Sequence, residues 1–202
     1  MKCSNKGFDY CYNAQIVVDG EHQIIVAAEV TAAANDKQQA VPLAQAVVDN
    51  LAAAAIERPR DDQGQPLPIP NTADNGYYSE ENVRGVAAVG LDPYFAAGRQ
   101  KHHAPGTDAI GAPEASAGAS TTSVVAEESP KAAMAKKLRT PSGRALYAAR
   151  KHIVEPVFGQ IKQIRGFRKF LLRGQELVSA EWQLICLTHN LLKIWRHVSS
   201  VP

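Results

Sequence analysis

The sequence predicts a mixed α/β fold, with antiparallel and parallel strands flanked by helices, and three stretches carry that expectation. Residues 12–31, "YNAQIVVDGEHQIIVAAEVT", read as a β-hairpin. Residues 68–98 alternate strand, helix and strand, which is a β-α-β unit and favours two parallel strands in a mixed sheet. Residues 142–196 are largely helical in period.

In the first stretch, Ile16–Val18 and Ile24–Val30 are β-branched, apolar runs flanking "DGEH". Asp-Gly is a favoured two-residue hairpin turn, so turn chemistry alone accounts for Asp19. Residues 35–56 follow as a helix, with Leu43, Val47 and Leu51 at four-residue spacing and Asn35 or Asp36 as its cap. Pro42 in its first turns predicts an irregular entry. A Pro- and Gln-containing loop over 58–68 leads into a short strand that ends at Asp74. Ser79 is a good N-cap for a helix over 79–90, Gly90 a natural residue just past its end, and 92–98 a second strand.

From 103 to 130, Ala, Gly, Ser, Thr and Pro dominate and no apolar period survives, so this is an insertion or linker with little core of its own. His102 and His103 at its edge have no further ligands nearby and read as exposed polar residues. The helical text of 142–164 contains Pro156, which predicts a kink or break near 152–156. Residues 165–174 form a short extended segment ending in Gly174. The last helix, 176–196, shows one stripe of Leu177, Ala180, Leu184, Leu187, Leu191 and Ile194, joined by Trp182 and Trp195. His189 inside it reads as a packed or partly exposed helix residue and not as a ligand. The chain thus divides into 1–102, 103–130 and 131–202.

No run of eighteen apolar residues and no apolar leader is present, so an intracellular, soluble chain without membrane contact is expected. The three cysteines, Cys3, Cys11 and Cys186, form no CxxC pair and read as free thiols. The net charge of +2 hides a split. Residues 1–130 carry 8 Lys+Arg against 17 Asp+Glu, whereas 131–202 carry 14 against 3. Twelve of those 14 bases lie in 131–174, where Glu155 is the only acid. A solvated helix face ordinarily mixes signs, because like charges one turn apart repel. A nearly acid-free basic stretch with regular apolar spacing predicts a folded surface for a polyanion, most plausibly nucleic acid.

Two carboxylates then stand out. Asp74, in "NTADNGYYSEENV", sits between a strand and a Gly-Tyr-Tyr turn. That is an ordinary place for a turn residue, and also a good place to hold a metal if the fold supplies a second acid. Glu155 is the lone acid of a basic helix, with Lys162 two turns after it and Arg150 or Lys151 one turn before. It could simply neutralise its neighbours. It could equally hold a cation among bases that hold phosphates, which is what DNA strand transfer requires.

Several motifs in order, "YNAQIVVD", "AEVTAAANDKQQ", "ADNGYYSEEN", "GRQKH", "RTPSGRALYAARKHIVEPVFGQIKQIRGFRKFLLRG" and "EWQLICLTHNLLKIW", resemble a DDE transposase of bacterial insertion sequences over about residues 9–197. The resemblance implies a ribonuclease H-like catalytic core and Mg²⁺-dependent cleavage and transfer of DNA strands. It puts the family's second and third catalytic acids, both metal ligands, on Asp74 and Glu155. It puts the tyrosine and lysine of the tyrosine-arginine-glutamate-lysine signature on Tyr147 and Lys162, with the arginine's place shared between Arg150 and Lys151. Arg165, Arg168, Lys169 and Arg173 extend the DNA track. The family's first acid lies on a strand upstream of the hairpin, and neither Asp9 nor Asp19 is a convincing substitute. The expectation is therefore the C-terminal part of a transposase, a core lacking its first strand and inactive alone. Mg²⁺ is the implied cofactor, with DNA, a full-length transposase or a second copy as partners, in the cytoplasm at the nucleoid. The alternative is a catalytically dead DNA-binding or regulatory remnant.

Overall fold

The computed structural model describes residues 11–98 and 129–200. Two strands, β1 (Asn13–Val18) and β2 (Ile25–Thr31), pair antiparallel as the two β-branched runs predict. The turn is longer than two residues. Asp19 Oδ2 accepts from the backbone N–H groups of Glu21 and His22, and Asp19 N–H donates to Ile24 O across 2.8 Å. Gln23 takes the left-handed conformation at φ 59°. The side chain of Asp19 therefore closes a loop over 19–24 in place of an Asp-Gly turn.

A 3-10 turn (Asp36–Gln39), with Asn35 accepting from Lys37 N–H, leads into α1 (Ala40–Ala53). This is the irregular entry that Pro42 predicts. The β-α-β unit is β3 (Ile69–Ala73), α2 (Glu80–Ala88) and β4 (Leu91–Phe95), with β3 and β4 parallel. Ser79 caps α2 through Asn82 N–H, and Gly90 follows it at φ 85°. Gly85 lets α2 lie close on α1, since a Cβ there would stand 2.6 Å from Val41 Cγ2.

The chain resumes as α3 (Pro130–Arg139) and α4 (Pro141–Gly159), continues as one π-helical turn (Gln160–Ile164), and ends in α5 (Gln175–Ser200). Of the kink or break expected near 152–156, the break does not occur: α4 runs through Pro156. Proline removes the N–H that would bond the carbonyl four residues back. That carbonyl belongs to His152, and Gln23 Nε2 donates to it instead, at 3.1 Å. The regular helix changes only at residue 160. Residues 165–174 form no strand, and Gly174, at φ 88°, precedes α5.

Strand alternation sorts the helices onto two faces. On β4, Leu91 and Phe95 pack with α1 and α2, while Lys137 of α3 bonds Asp92 and lies 4.1 Å from the Tyr94 ring. On β2, Ala27 joins Leu43 and Val47 of α1, while Ala28 and Val30 join Val157, Ile161, Val178 and Trp182. The strands therefore lie between α1 and α2 on one side and α3, α4 and α5 on the other. The outer edge of β2 is covered by α5 side chains: the Asn190 amide both accepts from Ile25 N–H and donates to Ile25 O, each at 2.8 Å, and Gln183 donates to Ala28 O.

α5 buries a face other than its apolar stripe. Its buried face is Val178, Trp182, Ile185, Cys186 and His189, whereas the stripe read from the sequence is exposed. Cys186 is a free buried thiol whose pKa burial pushes up to about 12, but Cys11 is disulfide-bonded, so the free-thiol reading fails there. Pairing depends on Cα separation, which widely spaced cysteines do not reveal.

His189 is completely buried, with Nε2 3.1 Å from Gln23 O, and burial holds its pKa below the usual value. The unfolded imidazole takes up a proton near pH 6.5, the folded one only at lower pH. Stability from this site is therefore complete above about pH 6.5 and is lost as pH falls toward the folded value. Thermal melts taken downward from neutral pH should show a falling Tm, and His189→Gln should flatten that slope. An equally steep slope in the variant would place its origin elsewhere.

Candidate active site

Among the described residues the strands form two separate two-stranded sheets, β1-β2 and β3-β4. Between them is a cavity of about 560 Å³. Residues 13–18 of β1 and 69–73 of β3 line its two sides; Leu43, Val47 and Leu51 of α1 close one face, and Leu146, Ile153 and Val154 of α4 the other. Each lining strand pairs on one edge only, so a row of backbone donors and acceptors faces the cavity from both sides. Gln15 is 3 % exposed, and its Oε1 has no hydrogen-bond partner; Nε of Arg150, which also lines the cavity, has none either.

One end of this slot is acidic. Asn13 Nδ2 and Gln15 Nε2 donate to Asp36 Oδ1 at 2.6 and 2.8 Å, which ties the 3-10 turn to the start of β1. Asp74, one residue beyond β3, accepts from Gly76 N–H at 2.8 Å through Oδ1. A Cβ on Gly76 would lie 3.0 Å from Asp74 Oδ1 and 3.2 Å from Asp36 Oδ2, so the glycine keeps open the space between two carboxylates. The start of β1 and the end of β3 therefore meet here, and the two strands run in opposite directions. Tyr77 borders both acids; burial first, then the charges of Asp36 and Asp74, push its pKa well up, so its hydroxyl stays protonated.

Asp36 is the residue that sequence reading missed. It was legible only as a helix cap, yet Asn35 makes that cap and leaves Asp36 for the site. Asp74 and Arg150 both line the slot. Glu155 does not line it, and stands exposed on α4 with Lys151. Tyr147 lies under Arg150, whose guanidinium carbon is 5.5 Å from the ring centre. Lys162 is exposed, with its ammonium 4.8 Å from the Phe158 ring. Lys169 and Arg173 are exposed as well.

The other two arginines of the expected DNA track do structural work. Arg165 donates to Ile185 O at 3.1 Å and to Thr188 Oγ1, fastening the π turn to α5. Arg168 donates to Lys162 O at 3.3 Å and to Gln163 Oε1.

Mg²⁺ needs few protein ligands, commonly one or two carboxylates with water and phosphate oxygens completing the octahedron. Asp36 and Asp74 meet that minimum, although no three acidic, His or Cys side chains converge among the described residues. No helix among them is long and apolar enough to cross a membrane.

No curated protein and no solved structure matches this chain. One family model does, over a stretch that holds α3, α4, the π turn and most of α5, and with them Tyr147, Glu155 and Lys162 but not Asp74. The matched stretch, residues 113–195, is similar to the transposase DDE domain.

Proposed function

We propose that this chain is the C-terminal part of a DDE transposase, with a ribonuclease H-like core that one further strand, between β1 and β3, would complete. The slot between two half-paired strands, with Asp74 at its acidic end, carries this reading. Because β1 and β3 run in opposite directions, a strand entering the slot would be antiparallel to one and parallel to the other. It would join the two sheets into one mixed sheet of five strands. It would be apolar on both faces, since α1 and α4 wall it above and below with Leu, Ile and Val.

In this reading Asp74 and Glu155 are the family's metal-binding acids on this chain, and Asp36 is a further carboxylate beside Asp74. Two bound Mg²⁺ would supply activation of water or a DNA 3′-hydroxyl and stabilisation of the leaving oxygen at phosphorus. The chain's own residues position. Asp74 offers Oδ2, since Oδ1 is held by Gly76. Tyr77 can donate a hydrogen bond beside the acids. Tyr147, Arg150 or Lys151, and Lys162 orient phosphates, and Lys169 and Arg173 extend the track. Such contacts fix register without reading bases. The second reading, a DNA-binding remnant without catalysis, is favoured by one observation: Glu155 is outside the cavity that Asp74 lines.

Both readings require DNA binding, and fluorescence anisotropy over a salt series tests it. Replacing Lys151, Lys162, Lys169 and Arg173 together with Ala should weaken binding to all duplex sequences alike. The salt slope should flatten by about three to four, since each phosphate left without its cation lowers the slope by about 0.9. Affinity and slope that do not change would exclude this surface as the DNA track.

A further inference from the structure

Pro156 interrupts the hydrogen-bond ladder of α4 at a sensitive place. It follows Glu155 directly, with Lys151 before it and Lys162 after it. A proline inside a helix ordinarily bends it, because the carbonyl four residues back loses its donor and is pushed outward by the ring. α4 nevertheless continues to Gly159. The carbonyl of His152 has its donor outside the helix, in Nε2 of Gln23 at 3.1 Å.

Gln23 is itself a fixed point. Its φ of 59° is left-handed, a conformation that residues with a side chain seldom hold unless their surroundings impose it. Both polar atoms of the side chain and the backbone carbonyl are engaged. Gln23 O is 3.1 Å from Nε2 of the fully buried His189, and Oε1 accepts from Lys193 at 2.8 Å. The start of β2 is fastened to the same helix, through the two bonds of the Asn190 amide to Ile25. The loop also packs on α4, since a Cβ on Gly20 would stand 3.6 Å from Ile153 Cδ1. Gln23 thus reaches from α5, anchored in the core by Val178, Trp182 and Ile185, to the carbonyl of α4 that Pro156 leaves without a helical donor.

We propose that Gln23 is a positioning residue: it clamps α4 across Pro156, and so fixes Glu155 and aligns Lys151 with Lys162. That role rests on the reading of Glu155 as a metal-binding acid and of the two lysines as phosphate contacts. Without the clamp, His152 O would have only water in place of its donor, and the helix would be free to bend about the missing bond. The bases before and after Pro156 would then no longer present one rigid track to DNA. Restoring the missing bond from within the helix should make the clamp redundant. Pro156→Ala does this, because alanine supplies the N–H that proline lacks, and Pro156 is exposed, so its removal opens no cavity.

Amide hydrogen exchange of the full chain tests the clamp in the wild type, Gln23→Met, Pro156→Ala and the double variant. Methionine keeps the length and neutrality of the side chain and removes its bonds. Exchange over 157–160 should quicken about three- to tenfold in Gln23→Met, the effect of losing one ordinary hydrogen bond. α1 and α2 should exchange as in the wild type, and the double variant should match Pro156→Ala, so that the two effects fail to add. A rise in the double variant as large as that in Gln23→Met alone overturns the proposal, because the bond would then act other than through the freed carbonyl. A rise shared by α1 and α2 overturns it as a general loss of stability, and no rise at all overturns it outright. Duplex binding followed by fluorescence anisotropy tests what the clamp serves. Gln23→Met should bind about threefold or more weakly, with affinity recovered in the double variant, which a bond of structural value alone would not produce. Equal affinity in Gln23→Met and the wild type, with exchange as expected, overturns the positioning role. A wild type that binds no DNA, with that same exchange pattern, leaves the clamp standing and overturns instead the reading of the site on which its role rests.

Discussion

Purified and mixed with supercoiled or end-containing DNA and Mg²⁺ or Mn²⁺, this chain alone should leave the DNA uncut and unjoined. Strand transfer by two metal ions needs carboxylates on both ions, held within a fraction of an ångström. Here Asp74 has one oxygen engaged by Gly76, Asp36 has one engaged by two amides, and Glu155 is outside the slot. Among the described residues nothing pairs with the strand edges that face the slot, so of these only β4 braces the end of β3 that bears Asp74. Two partly engaged carboxylates bind Mg²⁺ weakly in competition with water. Gel analysis for nicked, linear and joined products checks this. Cleavage that vanishes in Glu155→Gln and in Asp74→Asn would overturn it, and would show that the residues present complete the site.

How far the sequence foretold this arrangement depends on the range of the interaction. Features set by neighbours in the chain were legible: the β-branched runs of β1 and β2, the Ser79 cap, Gly90 past α2, and Asp74 just beyond a strand. Features set across the chain were not. Pro156 reads as a break from local rules, but Gln23, 129 residues away by sequence, occupies the carbonyl that the proline leaves free. The α5 stripe has an ideal apolar period, yet periodicity cannot say which of two apolar faces a helix buries. Arg165 belongs to a basic run, but Ile185 and Thr188 stand where its guanidinium reaches. Asp36 illustrates the reverse case, a local cap signal that hid a long-range role because Asn35 beside it does the capping. Tyr147, Glu155 and Lys162 fall inside the stretch that matches the family model, whereas Asp74 lies outside it, at the acidic end of the slot.

The largest loss of stability should come from Trp182→Ala. Trp182 is 3 % exposed and is stacked on Phe158 at 6.4 Å between ring centres; Phe170 meets it edge-on at 6.1 Å. Its Nε1–H donates to Gln15 O at 3.2 Å, so one side chain joins the hairpin, the end of α4, the segment after the π turn and α5. Truncating a buried tryptophan to alanine removes about 3–5 kcal/mol, a large part of the roughly 5–15 kcal/mol that holds a domain folded. The loss should be felt in full here, because the cavity between β1 and β3 already leaves one flank of the hairpin without packing, and the hairpin depends on α4 and α5. Trp182→Phe keeps most of the ring packing and leaves Gln15 O without its donor, which should reduce the loss to about 1–3 kcal/mol. Urea unfolding followed by far-UV circular dichroism separates the two, and avoids the emission of Trp195, which is 65 % exposed. If Trp182→Ala shifted the midpoint no more than Trp182→Phe, the indole's packing could not be what binds these four elements together.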